Sequence, residues 1–148
     1  MVITASSKTV GGFLASLPSV ILIAEDDELL GPALERFLRA RGYETHVVRS
    51  ARAAIDFMLA HEVDVILLDI MMNGDGEMGG LDVAWQAKGK IPIIVFSGAD
   101  KEEVIRAALR NALLGATYWF SKPLLEDDYS RLIQAIENAR LPRFGRPK

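Results

Sequence analysis

The sequence predicts an α/β protein with a doubly wound, five-stranded parallel sheet and helices on both faces. Five short runs are predicted to be strands, and two of them, residues 20–24 and 63–68, have the β-branched and aliphatic composition of strands that are buried on both faces. Segments with apolar residues at helical spacing separate these runs. An alternation of this kind forms right-handed βαβ units, and a series of such units gives a parallel sheet between two layers of helices.

The five predicted strands are short, and acidic residues end the first of them abruptly. Proline at position 92 is acceptable because its missing N–H costs little near the start of a strand. In chain order the predicted strands cover residues 20–24, 43–48, 63–68, 91–96 and 117–120.

Helices are predicted in the four gaps between the strands and after the fifth strand. Proline is accepted in a first helical turn, serine is a good N-cap, Asp with Glu three residues later resembles a capping box, and glycine often follows a helix. The last helix has apolar residues on one stripe, from Tyr129 to Ile136. The residues that mark the other helix ends are Pro32, Gly42, Ser50, Asp100 with Glu103, and Gly115.

Composition restricts the functions that the chain can have. Its 148 residues give room for one domain, and 17 Lys and Arg against 20 Asp and Glu give a net charge of −3. That charge supplies no general attraction for nucleic acid or for an anionic membrane. The absence of cysteine excludes disulfides and sulfur-ligated zinc. No apolar run reaches the roughly 18 residues of a membrane span, so we expect a cytoplasmic protein without membrane insertion.

One folded unit is expected over residues 19–140. Residues 1–18 have no strong pattern, and we interpret them as a flexible N-terminal extension. Residues 141–148 combine basic residues with Pro142, Gly145 and Pro147, which break regular structure. We expect these last residues to form a basic tail.

Polar residues follow four of the predicted strands. In an open parallel sheet, ligands bind beyond the carboxyl ends of the strands, so these residues are expected to converge at one edge. Converging carboxylates raise each other's pKa unless a cation lies between them, and Mg²⁺ suits such a pocket of oxygen ligands. His46 and His61 have no neighbour at the spacing of zinc ligands. The converging residues are Glu25, Asp26 and Asp27, then Asp69, Ser97, and Lys122 with Pro123.

The same arrangement contains the groups that phosphoryl transfer requires. These groups are an aspartate oxygen as nucleophile, a metal ion, a hydroxyl donor and a fixed ammonium. Lys122 would reach the phosphoryl oxygens as a point charge, and Ser97 would donate from the opposite side.

Four motifs resemble those of the response-regulator receiver family over about residues 19–140. The resemblance implies a flavodoxin-like fold with strand order 2-1-3-4-5 and a switch that takes a phosphoryl group from a phosphohistidine. The donor would be a histidine kinase or a histidine phosphotransfer protein, and the output a downstream protein target. The motifs are Glu25-Asp26-Asp27, Leu68-Asp69-Ile70-Met71-Met72, Ser97-Gly98-Ala99 and Ser121-Lys122-Pro123-Leu124.

The resemblance also implies roles for individual residues. Asp69 would be the phosphoacceptor, with its own pocket also catalysing hydrolysis of the phosphoaspartate. Ser97 and Lys122 would contact the phosphoryl group, and Ser97 would move with Trp119, the aromatic residue three positions before the lysine. The ligands of Mg²⁺ would be Glu25, Asp26, Asp69 and the backbone carbonyl of Met71.

The sequence departs from the family pattern in two places. Asn73 stands where the family normally has proline, and the loop over residues 73–80 is a few residues longer than usual. The interval from Ser97 to Lys122 is also long. Because receiver partners usually contact that region, we expect altered partner specificity rather than lost phosphorylation.

Three functions remain open at this stage. The leading one is a stand-alone receiver, either an intermediate in a phosphorelay or an effector that binds its target directly. A pseudo-receiver, which keeps the fold as a binding module without phosphorylation, is the alternative. A phosphatase or mutase of the haloacid-dehalogenase type is disfavoured, because Met71 stands where that family has an acidic general acid.

Overall fold

The computed structural model describes residues 18–72, 79–98 and 118–140. The predicted N-terminal extension, the helix expected from Asp100 to Gly115, the basic tail and most of the loop over residues 73–80 lie outside these described residues. Within them the strands are β1 (Val20–Ala24), β2 (Glu44–Val48), β3 (Val65–Asp69), β4 (Ile93–Gly98) and β5 (Tyr118–Lys122). The helices are α1 (Leu30–Arg39), α2 (Ala51–Ala60), α3 (Gly79–Ala87) and α4 (Glu126–Arg140).

The five strands form one parallel sheet in the order β2-β1-β3-β4-β5, which confirms the predicted fold class and strand order. Strand β1 pairs with β2 on one side and with β3 on the other, so the direction of winding reverses between β1 and β3. Ala24 lies opposite Leu68 at the end of that pair. The carboxyl ends of β1 and β3 therefore meet at the switch point, where ligands bind in sheets of this type.

Two apolar layers enclose the sheet. Alternate residues of a strand point to opposite faces, so Val65 and Leu67 of β3 pack toward α1 and α4 while Ile66 and Leu68 pack toward α2 and α3. All five residues of β3 are buried. Burial on both faces explains why the three central strands, β1, β3 and β4, are mainly apolar in sequence. None of the helices within residues 18–72, 79–98 and 118–140 is long and apolar enough to cross a membrane.

Local signals in the sequence fix several helix ends. The Ser50 hydroxyl accepts a hydrogen bond from the Ala53 N–H at 3.1 Å, so the predicted cap of α2 is confirmed. Gly42, with a φ of 92°, adopts the left-handed conformation shortly after α1. Leu132 and Ile136 are buried in the predicted stripe of α4.

Some boundaries differ from the sequence prediction. Asp69, Ser97 and Lys122 were expected after their strands, but they pair within them, because backbone pairing continues where apolar composition stops. Gly80 belongs to the first turn of α3 and not to the preceding loop. Trp85 of this helix is 56% exposed, and the Lys88 ammonium lies 4.8 Å from its ring centroid.

Candidate functional site

Three carboxylates converge at the carboxyl ends of β1 and β3. Oxygen atoms of Glu25, Asp26 and Asp69 all lie within 4.8 Å of one another. Glu25 and Asp69 are only 2% and 4% exposed, although both residues are acidic. Because a buried carboxylate is costly without a compensating charge, this cluster requires cations close by.

Lys122 supplies one of these cations from the end of β5. Its Nζ lies 2.8 Å from Glu25 Oε1 and 3.0 Å from Asp69 Oδ2, so a single ammonium bridges both buried carboxylates. Burial alone would lower the pKa of Lys122, but the contacts with Glu25 and Asp69 outweigh it and raise the pKa above its ordinary value. The lysine is therefore held in its charged form.

One cation does not fully compensate the cluster. Burial and the negative charge of Asp69 raise the pKa of Glu25 to about 7, against the opposing effects of Lys122 and of a hydrogen bond from the Asp27 N–H. That N–H donates to Glu25 Oε2 at 3.0 Å. Burial is the larger of the two causes. Three carboxylates lie together beside this one ammonium, so a further cation would relieve their mutual repulsion.

The Asp69 carboxylate is held at both of its oxygens. Oδ1 accepts a hydrogen bond from the Met71 N–H at 2.9 Å, and Oδ2 accepts one from Lys122 Nζ at 3.0 Å. The first contact turns the backbone after β3 toward the carboxylate. Asp69 is thus oriented by its own loop and by β5 together.

Ser97 and Trp119 lie on the neighbouring strands. Ser97 is fully buried and follows Phe96, the residue that pairs with Asp69. Its hydroxyl donates to the Gly98 carbonyl at 3.2 Å. Trp119 is half-buried and packs against the core layer on the α2 and α3 side of the sheet.

Asp27 has a different role from the other acidic residues of its motif. Its Oδ1 accepts hydrogen bonds from the N–H groups of Leu29 and Leu30, at 2.7 and 2.9 Å, at the start of α1. These two bonds, the one from Leu30 first, lower the pKa of Asp27. The residue therefore acts as a helix cap, and the acidic residue just before an apolar helix was the sequence signal for it.

Sequence reasoning missed Arg49, which follows β2. Its Nη2 donates to the backbone carbonyl of Asp26 at 3.1 Å and lies 3.7 Å from Glu28 Oε1. The guanidinium thereby holds the backbone of one member of the acidic cluster. A lone arginine after an edge strand matches no motif, so only its position beside the switch point could have indicated this contact.

The donor set of the cluster fits Mg²⁺. Its side-chain donors are carboxylate oxygens, which Mg²⁺ prefers, and three carboxylates within 4.8 Å of one another favour a divalent cation. The two histidines are engaged elsewhere, because the rings of His46 and His61 both pack on Phe57, with centroids 4.7 and 4.3 Å away. Among the described residues, the cluster thus offers the chemistry of an oxygen-seeking metal rather than of zinc.

Fold and site together define a class of protein: a doubly wound α/β domain with an acidic cluster and a paired lysine at the switch point of its sheet. A family model described as the response regulator receiver domain matches residues 21–137. The chain therefore belongs to the family of response regulator receiver domains, the phosphoryl-accepting regulatory domains of two-component signalling. Phosphoaspartate and Mg²⁺ are general features of this family.

Characterised relatives and solved structures agree with this assignment. The chain is 33% identical over 118 residues to the sensory transduction protein RegX3 of Mycobacterium tuberculosis and 32% identical over 117 residues to the transcriptional regulatory protein RprY of Bacteroides fragilis. Each match covers 78% of this chain, but 49% of RegX3 and 48% of RprY, so the chain spans about half the length of these relatives.

A response regulator receiver protein from Burkholderia phymatum superposes with a TM-score of 0.67 at 25% identity, over 81% of this chain and 95% of that one. A signal receiver domain from Vibrio parahaemolyticus has the same fold, with a TM-score of 0.71 over 89% of this chain and all of that one, at 20% identity. These likenesses extend over nearly the whole of each receiver and support the fold assignment.

Proposed function

We propose that residues 19–140 form a phosphorylatable receiver, in which Asp69 takes a phosphoryl group from a phosphohistidine. The observation that carries this proposal is the double contact of Lys122 with Asp69 and Glu25 beside the acidic cluster. A buried aspartate with an ammonium at 3.0 Å has both a nucleophilic oxygen and a positive charge for the incoming phosphoryl oxygens.

The proposed reaction exchanges one phosphorus bond for another. A carboxylate oxygen of Asp69 forms the new O–P bond while the N–P bond of the phosphohistidine breaks, and the imidazole leaves with its electron pair. Lys122 would then shift from the carboxylate to the phosphoryl oxygens, since an ammonium on a flexible stem can follow the moving charge. Hydrolysis would remove the group by attack of water on phosphorus, which breaks the O–P bond to Asp69, regenerates its carboxylate and releases inorganic phosphate.

Four groups would hold Mg²⁺ in this proposal: the carboxylates of Glu25, Asp26 and Asp69, and the Met71 carbonyl. The ion would neutralise the charge on the phosphoryl oxygens while the phosphoryl group is transferred from the histidine to Asp69. The Met71 N–H donates to Asp69 Oδ1, so the backbone of Met71 lies next to this carboxylate.

Ser97 and Trp119 are proposed to carry the signal. The Ser97 hydroxyl, which donates to Gly98 in the structure, would turn toward the phosphoryl group, and Trp119 would then move within its half-buried position. A tryptophan is larger than the tyrosine or phenylalanine usual at this position, so its movement would be more restricted.

Millimolar Mg²⁺ is expected to raise the melting temperature of the wild-type chain, because an ion that binds only the folded state stabilises it. A tenfold excess over its dissociation constant contributes about 1.4 kcal/mol, which corresponds to roughly 3–6 °C for a chain of this size. Thermal unfolding in Mg²⁺ and in EDTA measures the increment.

Glu25→Gln removes one proposed ligand and is expected to lose most of this increment. Glu28→Gln is the matched control, because Glu28 is close in sequence but 83% exposed at its side chain. A Glu25→Gln variant that keeps the full increment would contradict the proposed metal site.

The proposed partner that donates the phosphoryl group is a histidine kinase or a histidine phosphotransfer protein. A groove of about 450 Å³ runs between the start of α1 and the segment after β5, and Lys122 forms part of its wall. Apolar side chains surround it, including Leu30 and Leu124, and Leu29 beside them is 82% exposed. An apolar groove next to the acceptor suits a helix of the donor, which has to bring its histidine to Asp69.

Leu29→Asp is expected to slow phosphoryl transfer from a kinase about tenfold or more, the cost of losing one well-packed apolar contact. Transfer from acetyl phosphate should stay at the wild-type rate, because a small donor needs no groove. Leu59→Asp is the control, since Leu59 is 77% exposed on α2, at the opposite face of the sheet. Equal rates for the two variants, with any kinase that phosphorylates the wild type, would contradict this docking site.

The output is proposed to be a protein target in the cytoplasm, reached either directly or through a relay. The relatives named above include a transcriptional regulatory protein, whereas the net charge of −3 on this chain gives no general attraction for nucleic acid. The pseudo-receiver alternative is less well supported, because Asp69, Lys122 and the acidic cluster are all present and in contact. The dehalogenase-type alternative fails on Met71, whose thioether cannot transfer a proton.

A further inference from the structure

Helix α3 approaches the end of β3 more closely than a side chain would permit. A Cβ atom on Gly80 would lie 2.4 Å from Ile70 Cα, 2.6 Å from the Ile70 carbonyl oxygen and 2.8 Å from the Asp69 carbonyl oxygen. All three are backbone atoms, so no change of rotamer could relieve the contact. Any residue other than glycine has to push α3 and the backbone of residues 69 and 70 apart.

A chain of hydrogen bonds makes this contact specific. The Gly80 N–H donates to the Ile70 carbonyl at 3.1 Å, the Ile70 N–H donates to Phe96 at 3.4 Å, and the Met71 N–H donates to Asp69 Oδ1 at 2.9 Å. The backbone immediately after Asp69 is therefore held by β4 on one side and by the first turn of α3 on the other. The hydrogen bond from the Met71 N–H connects this backbone to the Asp69 carboxylate.

We infer that Gly80 is a positioning residue for the site: by allowing α3 to touch the backbone of residues 69 and 70, it fixes the orientation of the Asp69 carboxylate and of the Met71 backbone. This inference rests on the proposed function, since it concerns the same carboxylate. The hydrogen bond from Gly80 to Ile70 joins the start of α3 directly to the residue that follows Asp69.

The chain offers a matched control in Gly89. Its φ of 73° makes alanine strained there, but among the described residues no heavy atom lies within 4 Å of the added Cβ. Gly89→Ala should therefore lower the melting temperature without disturbing the site. Gly80→Ala differs in kind, because alanine is the better helix former and would stabilise α3 if the close contact were unimportant.

The experiment compares wild type, Gly80→Ala and Gly89→Ala in Mg²⁺ affinity, melting temperature and phosphorylation by acetyl phosphate. We expect Gly80→Ala to weaken Mg²⁺ binding and to slow phosphorylation at saturating Mg²⁺ by up to roughly 100-fold, the cost of misplacing a reacting group by about 1 Å. Gly89→Ala should keep the wild-type Mg²⁺ affinity and rate while losing stability. A folded Gly80→Ala variant that matches Gly89→Ala in Mg²⁺ affinity and in phosphorylation rate would overturn the inference.

Amide hydrogen exchange on the wild type gives a second test that holds even if Gly80→Ala does not fold. If the contact of Gly80 with the backbone of residues 69 and 70 favours Mg²⁺ binding, bound Mg²⁺ must stabilise that contact by the same free energy. Mg²⁺ should therefore increase the protection of the Gly80 amide more than that of the His61 amide, which donates to the Phe57 carbonyl at 2.9 Å at the end of α2. Equal increases would overturn the inference. A wild type that binds Mg²⁺ but takes up no phosphoryl group would contradict the proposed function, while the protection difference would still decide the role of Gly80.

Discussion

Asp69→Asn is expected to abolish phosphorylation by acetyl phosphate and by any phosphohistidine donor, with the fold retained. The amide has no nucleophilic oxygen of comparable strength, and Asp69 is the carboxylate that Lys122 and the Met71 N–H together orient. Little stability should be lost, because removing this charge also removes its repulsion of Glu25. Intact mass and circular dichroism measure the two effects.

Asp56→Asn is the matched control for this variant. Asp56 lies on α2, is 64% exposed at its side chain and forms a long ion pair with Arg52 at 4.0 Å. The control should be phosphorylated like wild type. An Asp69→Asn variant that gains the same mass would contradict the assignment of Asp69 as the phosphoacceptor.

Lys122→Ala is expected to have the largest effect on stability. It leaves the two buried carboxylates of Glu25 and Asp69 facing each other without their shared ammonium, a change that typically costs about 3–5 kcal/mol when one partner of a buried ion pair is removed. Urea unfolding in EDTA measures the loss. Added Mg²⁺ should restore part of it, and phosphorylation should be slowed strongly even at saturating Mg²⁺.

The pH dependence of this loss has a definite sign. The pKa of Glu25 in the folded wild type is about 7, above its ordinary value of 4.5, so protonation favours the folded state as the pH falls through this range. Acidification from about pH 8 toward pH 5 should therefore narrow the stability gap between Lys122→Ala and wild type. Lys88→Ala is the control, because Lys88 is an exposed residue in the turn that follows α3. A Lys122→Ala variant as stable as this control in EDTA at neutral pH would contradict the bridging role.

The fold could be predicted largely because the central strands are covered on both faces. Burial of β3 on both faces requires an apolar run up to Leu68, and such runs are visible in the sequence. The strand ends were less predictable, since Ser97 and Lys122 remain in the ladder although their side chains are polar. Apolar composition indicates which side chains are buried, whereas backbone pairing of the strands extends past the last apolar residue.

The convergence of Glu25, Asp26 and Asp69 was predictable from the rule that ligands bind at the carboxyl ends of parallel strands. Finer distinctions depend on side-chain directions and on contacts between distant segments. Asp27 turns to cap α1 instead of joining the cluster, and Arg49 reaches the Asp26 backbone from the edge of the sheet. Gly80 could be recognised only once α3 was seen against the end of β3.

The most direct test of the receiver assignment is the intact mass of the wild-type chain after incubation with acetyl phosphate or phosphoramidate, with Mg²⁺ and with EDTA. The predicted result is a gain of one phosphoryl group that requires Mg²⁺ and is absent from Asp69→Asn. A wild-type chain that gains no phosphoryl group with either donor in Mg²⁺ would contradict the proposal and favour a pseudo-receiver that binds its partners without phosphorylation.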